Sequence, residues 1–363
     1  MFAKNLNIAL IGCGRIAGHH ITHTKKLKNC KVVAVCDKDL KKAKFYGKKN
    51  KIAFFSDYNV MLKKIPSINI VAIMTPSGMH YEHTIDIIKK FKKNIIIEKP
   101  AYLKPEDVNK AFEFAKKYKV KIFPVFQNRY NKAVKRLKKA LIRNELGDVR
   151  IINVRVRWCR PDRYYNLSEW WGTYSQDGGA LTNQGIHHVD LIRYLFGEVK
   201  HVNATMKTLG AKVEVEDSIV ATFLLESGAI GSLEITTAAR PIDYEASISV
   251  LGSKGMAQLG GLAVNELQIF SIDPKECKKN SEKIPNALGL GHTNFYEKIK
   301  KILVSKKRQE FSVDKNDCYK TIRLLNAFYK SDELDKKIIV KNVKNSKRLG
   351  SKNTKLSKLY RTH

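Results

Sequence analysis

The sequence predicts an α/β protein with two folds in series: a doubly wound parallel sheet first, then an α+β domain built on a large, mostly antiparallel open sheet. Three observations carry this expectation. Apolar runs alternate with amphipathic helical stretches up to about residue 126, the pattern of strand–helix–strand units whose parallel sheet is covered on both faces. A glycine-rich turn joins the first run to the first helix. From residue 149 onward, long β-rich segments separated by short turns take over, as antiparallel sheets require. The expected organisation is 1–126, 127–335 and a basic tail over 336–363.

The first strand is the apolar run Leu6–Ile11, followed by Gly12-Cys13-Gly14-Arg15-Ile16-Ala17. This fits G-x-G-x-x-A at a strand-to-helix turn. Gly12 permits the tight turn, Gly14 leaves room for a pyrophosphate, and Ala17 lets the helix pack close to the sheet. The free N–H groups of the helix start, at Arg15 and Ile16, favour the phosphates. A second strand, Lys31–Cys36, ends at Asp37, 23 residues beyond Gly14, where a carboxylate holds the adenosine ribose hydroxyls. Asp37 repels a 2′-phosphate and so selects NAD over NADP, although Lys38, Lys41 and Lys42 soften that choice.

Further strands are expected near 70–75, 94–98 and 121–126, with a helix over Pro105–Lys119 opened by proline and acids. The loop Met74-Thr75-Pro76-Ser77-Gly78-Met79-His80 ends the strand at 70–75. Carboxyl ends of parallel strands bind ligands, so Thr75, Pro76 and His80 are candidates near the nicotinamide ribose, with Gln127 after the last strand. Glu98-Lys99-Pro100 ends the strand at 94–98. An ammonium there stabilises a developing alkoxide, and Glu98 can bond a ribose or hold the lysine.

In the second domain, a helix over 131–144 precedes strands at 149–158, 200–209, 218–225, 229–237, 244–251, 255–259 and 267–272. Glu226-Ser227-Gly228 and Gly252-Ser253-Lys254-Gly255 read as hairpin turns. Helices are expected at 178–196, 291–304 and 314–330. Gly178 to Asp190, GGALTNQGIHHVD, sets Asn183 and His187 one helical turn apart, which aims both side chains at one point. A neutral imidazole beside an amide suits proton acceptance from an alcohol. The competing reading is a buried helix whose histidine is merely satisfied.

The formal charge of +34, from 68 Lys plus Arg against 34 Asp plus Glu, raises nucleic acid as a partner. The lysines are spread along nearly every helix, as in Lys25, Lys26, Lys28 and again Lys89, Lys90, Lys92, Lys93, and no nucleic-acid motif accompanies them. Attraction for an anionic cofactor and substrate is the simpler account. The six cysteines contain no C-x-x-C pair, so neither disulfides nor a metal site is indicated. No apolar run approaches a membrane span, and a strand starting at residue 6 leaves no room for a signal peptide. A soluble, cytoplasmic protein is expected. The tail from Lys336 to His363, with ten Lys or Arg and no acid, reads as a flexible extension.

The motifs GCGRIA, TPSGMHYEH, EKP and GGALTNQGIHHVD occur together, and in that combination the chain resembles the glucose-fructose oxidoreductase, inositol dehydrogenase and rhizopine catabolism (Gfo/Idh/MocA) family over about residues 5–335. The resemblance implies an NAD-binding Rossmann domain and a dehydrogenase acting on a secondary hydroxyl. It also implies catalytic roles for Lys99 and His187, and a homodimer or homotetramer built on the open sheet. Many members carry aspartate where this chain has Asn183; an amide orients a hydroxyl but carries no proton, so the acid–base work falls on His187. His188 points about 100° away on a helix and reads as structural.

FQNRYN at 126–131 and RWCRPDRYY at 157–165 resemble, within the family, the nucleotide-sugar 3-dehydrogenases acting on UDP-N-acetylglucosaminuronate for surface-polysaccharide amino sugars. This implies that Arg129, Arg157, Arg160 and Arg163 bind diphosphate or carboxylate and that Tyr130, Tyr164 or Tyr165 stack on a base, with Asn183 and Gln184 positioning the sugar. The alternative for these arginines is pairing with acids. Two other activities stay open: a family dehydrogenase for a free sugar, cyclitol or small imine, and a non-enzymatic NAD-binding sensor or nucleic-acid-binding protein.

Overall fold

Leu6–Ile11 (β1) and Ile70–Ile73 (β4) lie side by side at the centre of a six-stranded parallel sheet. Almost every residue of both is buried, which is why these runs read as continuously apolar: helices cover both faces. The remaining strands are Cys30–Cys36 (β2), Ala53–Phe55 (β3), Asn94–Ile97 (β5) and Ile122–Pro124 (β6), in the order β3-β2-β1-β4-β5-β6. The three-residue β3, too short to leave a periodic signal, was not expected from the sequence. This order reverses between β1 and β4, so the carboxyl ends of those strands form the switch point where ligands bind in such sheets. Helices Arg15–Lys25 (α1), Leu40–Asn50 (α2), Tyr58–Lys64 (α3), His80–Phe91 (α4) and Pro105–Lys117 (α5) connect the strands. Proline and two acids open α5, complementing its dipole.

The computed structural model describes residues 5–284, 289–304, 311–353 and 355. The chain divides into two units, one of residues 1–125, 292–319 and 352–363, the other of 126–291 and 320–351. This differs from the sequential cut read from the sequence. The helix Gly291–Val304 (α11) contributes almost wholly to the first unit, where Tyr296 meets His20 of α1. Its periodicity showed an apolar face and not which sheet would receive it.

The second sheet has eight strands: Val149–Arg157 (β7), Val199–Lys207 (β8), Ser218–Leu225 (β9), Ile230–Thr236 (β10), Glu245–Gly252 (β11), Met256–Gly260 (β12), Glu266–Phe270 (β13) and Ile338–Ile339 (β14). Their order is β13-β12-β11-β7-β10-β9-β8-β14, antiparallel except for the parallel pair β7–β10. Both expected hairpins form, β9–β10 and β11–β12. Alternate residues of β8 and β9 are buried, so one face carries the core and the other is open. The helices are Lys132–Ile142 (α6), Asp162–Tyr165 (α7), Ala180–Asn183 (α8), Ile186–Phe196 (α9), Lys275–Lys279 (α10) and Lys315–Leu334 (α12).

Two expectations are corrected here. The helix expected over 178–196 is broken: the N–H of Gly185 reaches back to the Ala180 carbonyl, and a new helix starts at Ile186. The tail is also built in, at least to Ser351. Ile338 and Ile339 pair with β8, Val340, Val343 and Leu349 are buried, Ser346 donates its N–H to Asn326 Oδ1 at 2.9 Å and its hydroxyl to Glu333 Oε1, and Arg348 pairs with Asp332 at 2.6 Å. Scattered apolar residues without periodicity hid this segment; residues 354 and 356–363 lie outside the described ones. No helix among the described residues is long and apolar enough to cross a membrane.

Candidate active site

In the first unit the glycine turn follows β1 at the switch point. Gly12 sits at φ +99°, and a methyl group there would lie 2.5 Å from the Met74 carbonyl oxygen, so both its conformation and its surroundings demand glycine. A methyl group on Gly14, by contrast, would meet nothing within 4 Å. Space beside the turn together with the start of α1 fits a pyrophosphate. Asp37 closes the turn: its carboxylate accepts the Cys13 N–H at 2.7 Å and the Asp39 N–H at 2.9 Å. Cys13 itself is buried, and burial with the nearby Asp37 charge pushes its thiol far up. It is inert as a nucleophile. Thr75 Oγ1 lies 2.9 Å from His83 Nδ1, and Pro76 starts the turn leading into α4.

His80 and Glu98 are both buried and engaged within the first unit. His80 is buried, with the Pro100 carbonyl 3.0 Å from Nδ1 and the Thr75 carbonyl 2.9 Å from Nε2. It braces two loops and presents no edge to a cofactor. Glu98 is buried too; Oε1 is 2.8 Å from His20 Nε2 and Oε2 accepts the Lys99 N–H at 3.0 Å. Both carboxylate oxygens are engaged within the protein because the end of β5 faces α1. Lys99, the next residue, is only half-buried.

In the second unit His187 opens α9 and is buried. The Gln127 side chain lies 3.1 Å from its Nε2. With the Gln127 amide as donor, Nε2 carries its lone pair and the ring proton sits on Nδ1, the form a proton acceptor needs. Gln127 was expected beside the cofactor; in its own unit it is the partner of His187. Asn183 donates from Nδ2 to Asp177 Oδ1 at 2.5 Å, and Asp177 Oδ2 accepts the Gly172 N–H at 2.9 Å. Asp177 escaped sequence reasoning. The available signal was a carboxylate directly before the glycine pair that opens this motif. His188 is fully buried, with its pKa lowered to about 4 by burial. Gln184 is buried beside Asn183 in the helix break.

The expected substrate arginines divide. Arg129 is corrected outright: it is 3% exposed and paired with Asp190, Nε to Oδ2 at 2.7 Å and Nη2 to Oδ1 at 2.5 Å. It is a buried strut. Arg157 is held by Glu234 at 2.6 Å and by Glu245 at 3.4 Å across neighbouring strands, and Arg160 by Asp243 at 2.6 Å. The acids come from strands and loops more than 70 residues away, so no local pattern announced them. Tyr165 is buried with its hydroxyl 3.1 Å from Thr237 Oγ1, a core contact and no base platform. Arg163 stays exposed on α7, and Tyr130 is half-buried beneath Lys135. Tyr164 stacks on Trp171 at 4.6 Å and 23°, and the Arg160 guanidinium stands 5.3 Å from the Tyr164 ring.

Residues 6–126 match the family described as "Oxidoreductase family, NAD-binding Rossmann fold", and residues 134–258 match the "GFO/IDH/MocA C-terminal domain". The chain belongs to the Gfo/Idh/MocA family. It is an oxidoreductase whose first unit is an NAD-binding Rossmann domain, within a family of NAD-dependent sugar dehydrogenases. The WlbA dehydrogenase from Chromobacterium violaceum, solved with NADH and UDP-GlcNAcA, is 33% identical, with 93% of this chain and 97% of that one covered and a TM-score of 0.84. The WlbA dehydrogenase from Bordetella pertussis, solved with the same two ligands, is 29% identical over 93% of this chain and 99% of that one, with a TM-score of 0.87. The D-glucoside 3-dehydrogenase of Escherichia coli is 27% identical over 71% of this chain and 78% of its own length.

Proposed function

We propose that this Gfo/Idh/MocA oxidoreductase oxidises a secondary hydroxyl, at C3, of a UDP-linked N-acetylated sugar acid, for amino-sugar synthesis towards surface polysaccharide. His187 carries the reading: its Nε2, which accepts the Gln127 N–H, carries no ring proton and accepts the hydroxyl proton when the substrate hydroxyl takes the place of that amide. NAD, when bound, supplies the hydride acceptor. The Lys99 ammonium stabilises negative charge on the sugar oxygen as its proton leaves. Asn183, oriented by Asp177, and the neighbouring Gln184 position sugar hydroxyls. Arg163 and the stacked pair Tyr164–Trp171 are the groups suited to a diphosphate and a base. Asp37, fixed on the phosphate turn, favours NAD over NADP. The likeness to two enzymes solved with UDP-GlcNAcA supports the nucleotide sugar.

The likeness to a D-glucoside 3-dehydrogenase favours a second reading, a free sugar or cyclitol as substrate. The two are separated by incubating enzyme and NAD with UDP-N-acetylglucosaminuronate, UDP-N-acetylglucosamine, glucose and inositol, following NADH absorbance and product mass. Loss of two mass units from a UDP-sugar alone upholds the first reading. Turnover of glucose or inositol with no reaction of either UDP-sugar overturns it. The open face of the second sheet, where Arg157 and Glu234 lie, is the proposed contact for a homodimer or homotetramer, and sedimentation of the purified protein tests it.

A further inference from the structure

Four histidines gather around one buried carboxylate in the first unit. His19, His20 and His23 come from α1, His292 from the first turn of α11, and Glu98 from the end of β5. His20 Nε2 lies 2.8 Å and His292 Nε2 3.8 Å from Glu98 Oε1, and the three atoms lie within 4.8 Å of one another. Atoms so spaced can share a centre at about 2.4 Å or less from each, close to the roughly 2.0–2.2 Å of zinc–imidazole and zinc–carboxylate bonds.

The outward-facing atoms already have partners. His20 Nδ1 meets the Tyr296 hydroxyl at 2.5 Å, His292 Nδ1 meets His19 Nε2 at 3.1 Å, and Glu98 Oε2 accepts the Lys99 N–H. Such outer contacts fix ring orientation and tautomer in metal sites. The inward His292 Nε2 is fully buried and has no hydrogen-bond partner among the described residues, since 3.8 Å to Glu98 is too long for one. A neutral imidazole and an ionised carboxylate are the forms that bind a cation.

We propose that His20, Glu98 and His292 bind one divalent transition-metal ion, with zinc preferred and a fourth position left to water. Two imidazoles and one carboxylate suit zinc, cobalt or iron; magnesium and calcium take oxygen ligands. On binding, the His20 proton moves from Nε2 to Nδ1 and is donated to Tyr296. The ion joins α1, the end of β5 and α11, three segments far apart in sequence, and so acts as a structural clasp within the Rossmann unit.

The test uses tag-free full-length protein, stripped with EDTA, dialysed, and titrated calorimetrically with zinc chloride and, separately, magnesium chloride. One zinc ion per chain is expected, with a raised melting temperature and no magnesium binding. Cobalt in its place should give the intense visible absorption of a four- or five-coordinate site. Glu98→Gln and His292→Asn should weaken zinc about 100-fold or more, whereas His201→Asn, a histidine elsewhere, should not. Absence of zinc binding, or stoichiometric binding that survives both ligand variants, overturns the proposal in favour of a hydrogen-bonded cluster alone. If the variants do not fold, anomalous scattering at the zinc edge from wild-type crystals decides: a peak between the three side chains upholds the site, and no peak there overturns it.

Discussion

Replacing Arg129 with Met should unfold the second unit more easily and leave substrate affinity untouched. The guanidinium makes two hydrogen bonds to Asp190, at 2.7 and 2.5 Å, in a pair whose side chains are 3% and 1% exposed. Methionine fills the volume but leaves the Asp190 carboxylate buried with the Thr321 hydroxyl, at 3.2 Å, as a remaining donor. Removing one partner of a buried pair costs about 3–5 kcal/mol. For a unit of roughly 150–250 residues each kcal/mol lowers Tm by about 2–4 °C, so a fall of about 6–20 °C is expected. Circular dichroism melts measure it, and steady-state kinetics at 20 °C give KM. The double variant Arg129→Met/Asp190→Leu should recover most of the loss, because the buried charge is then gone. An unchanged Tm with a raised KM for the sugar substrate would refute the strut and return Arg129 to the substrate.

Lys99→Ala and His187→Ala should each lower kcat by about 10²–10⁴-fold while NAD affinity, followed by fluorescence titration, changes only a few-fold; equal losses in both would remove them from the chemistry. Asp37→Ala should shift the NAD-to-NADP affinity ratio towards NADP by roughly tenfold or more, through loss of a charged hydrogen-bond acceptor. An unchanged ratio excludes that role. Glu216 is fully buried against the Tyr329 hydroxyl at 2.7 Å, and burial pushes its pKa up to about 7 from 4.5. Between those pH values the folded protein keeps a proton that the unfolded chain releases, so this group makes stability fall as pH rises, by about 3 kcal/mol in all. Buried neutral histidines such as His188 work in the opposite sense below about pH 6.5. Denaturant titrations at pH 5 and pH 8 should therefore show a smaller decline with rising pH in Glu216→Gln than in wild type; identical changes would mean that Glu216 titrates normally.

What could be read along the chain was what short-range physics dictates. Gly12 and Gly14 announce a phosphate turn because backbone conformation and clearance depend on the residues themselves. The alternating burial of β8 and β9 and the turn Glu226-Ser227-Gly228 are likewise local, and they place a hairpin without reference to the rest of the molecule. The break at Gly185 is legible only afterwards, since glycine permits a departure from the helix without requiring one.

Partner choice was decided elsewhere. Arg129 and Arg157 are chemically equal candidates for a diphosphate, but Asp190 lies 61 residues from the first and Glu234 77 from the second, and folding brings those acids into place. Glu98 meets His20 across 78 residues of chain, which turns an expected cofactor contact into the centre of a buried cluster. The segment 338–351 and helix α11 show the same limit: their apolar residues state that something must be covered, and the tertiary structure alone selects the surface that covers it. Periodicity and turn chemistry are properties of neighbours in sequence, whereas an ion pair, a buried histidine cluster or a docked tail is a property of neighbours in space, and those are created only when the sheets assemble.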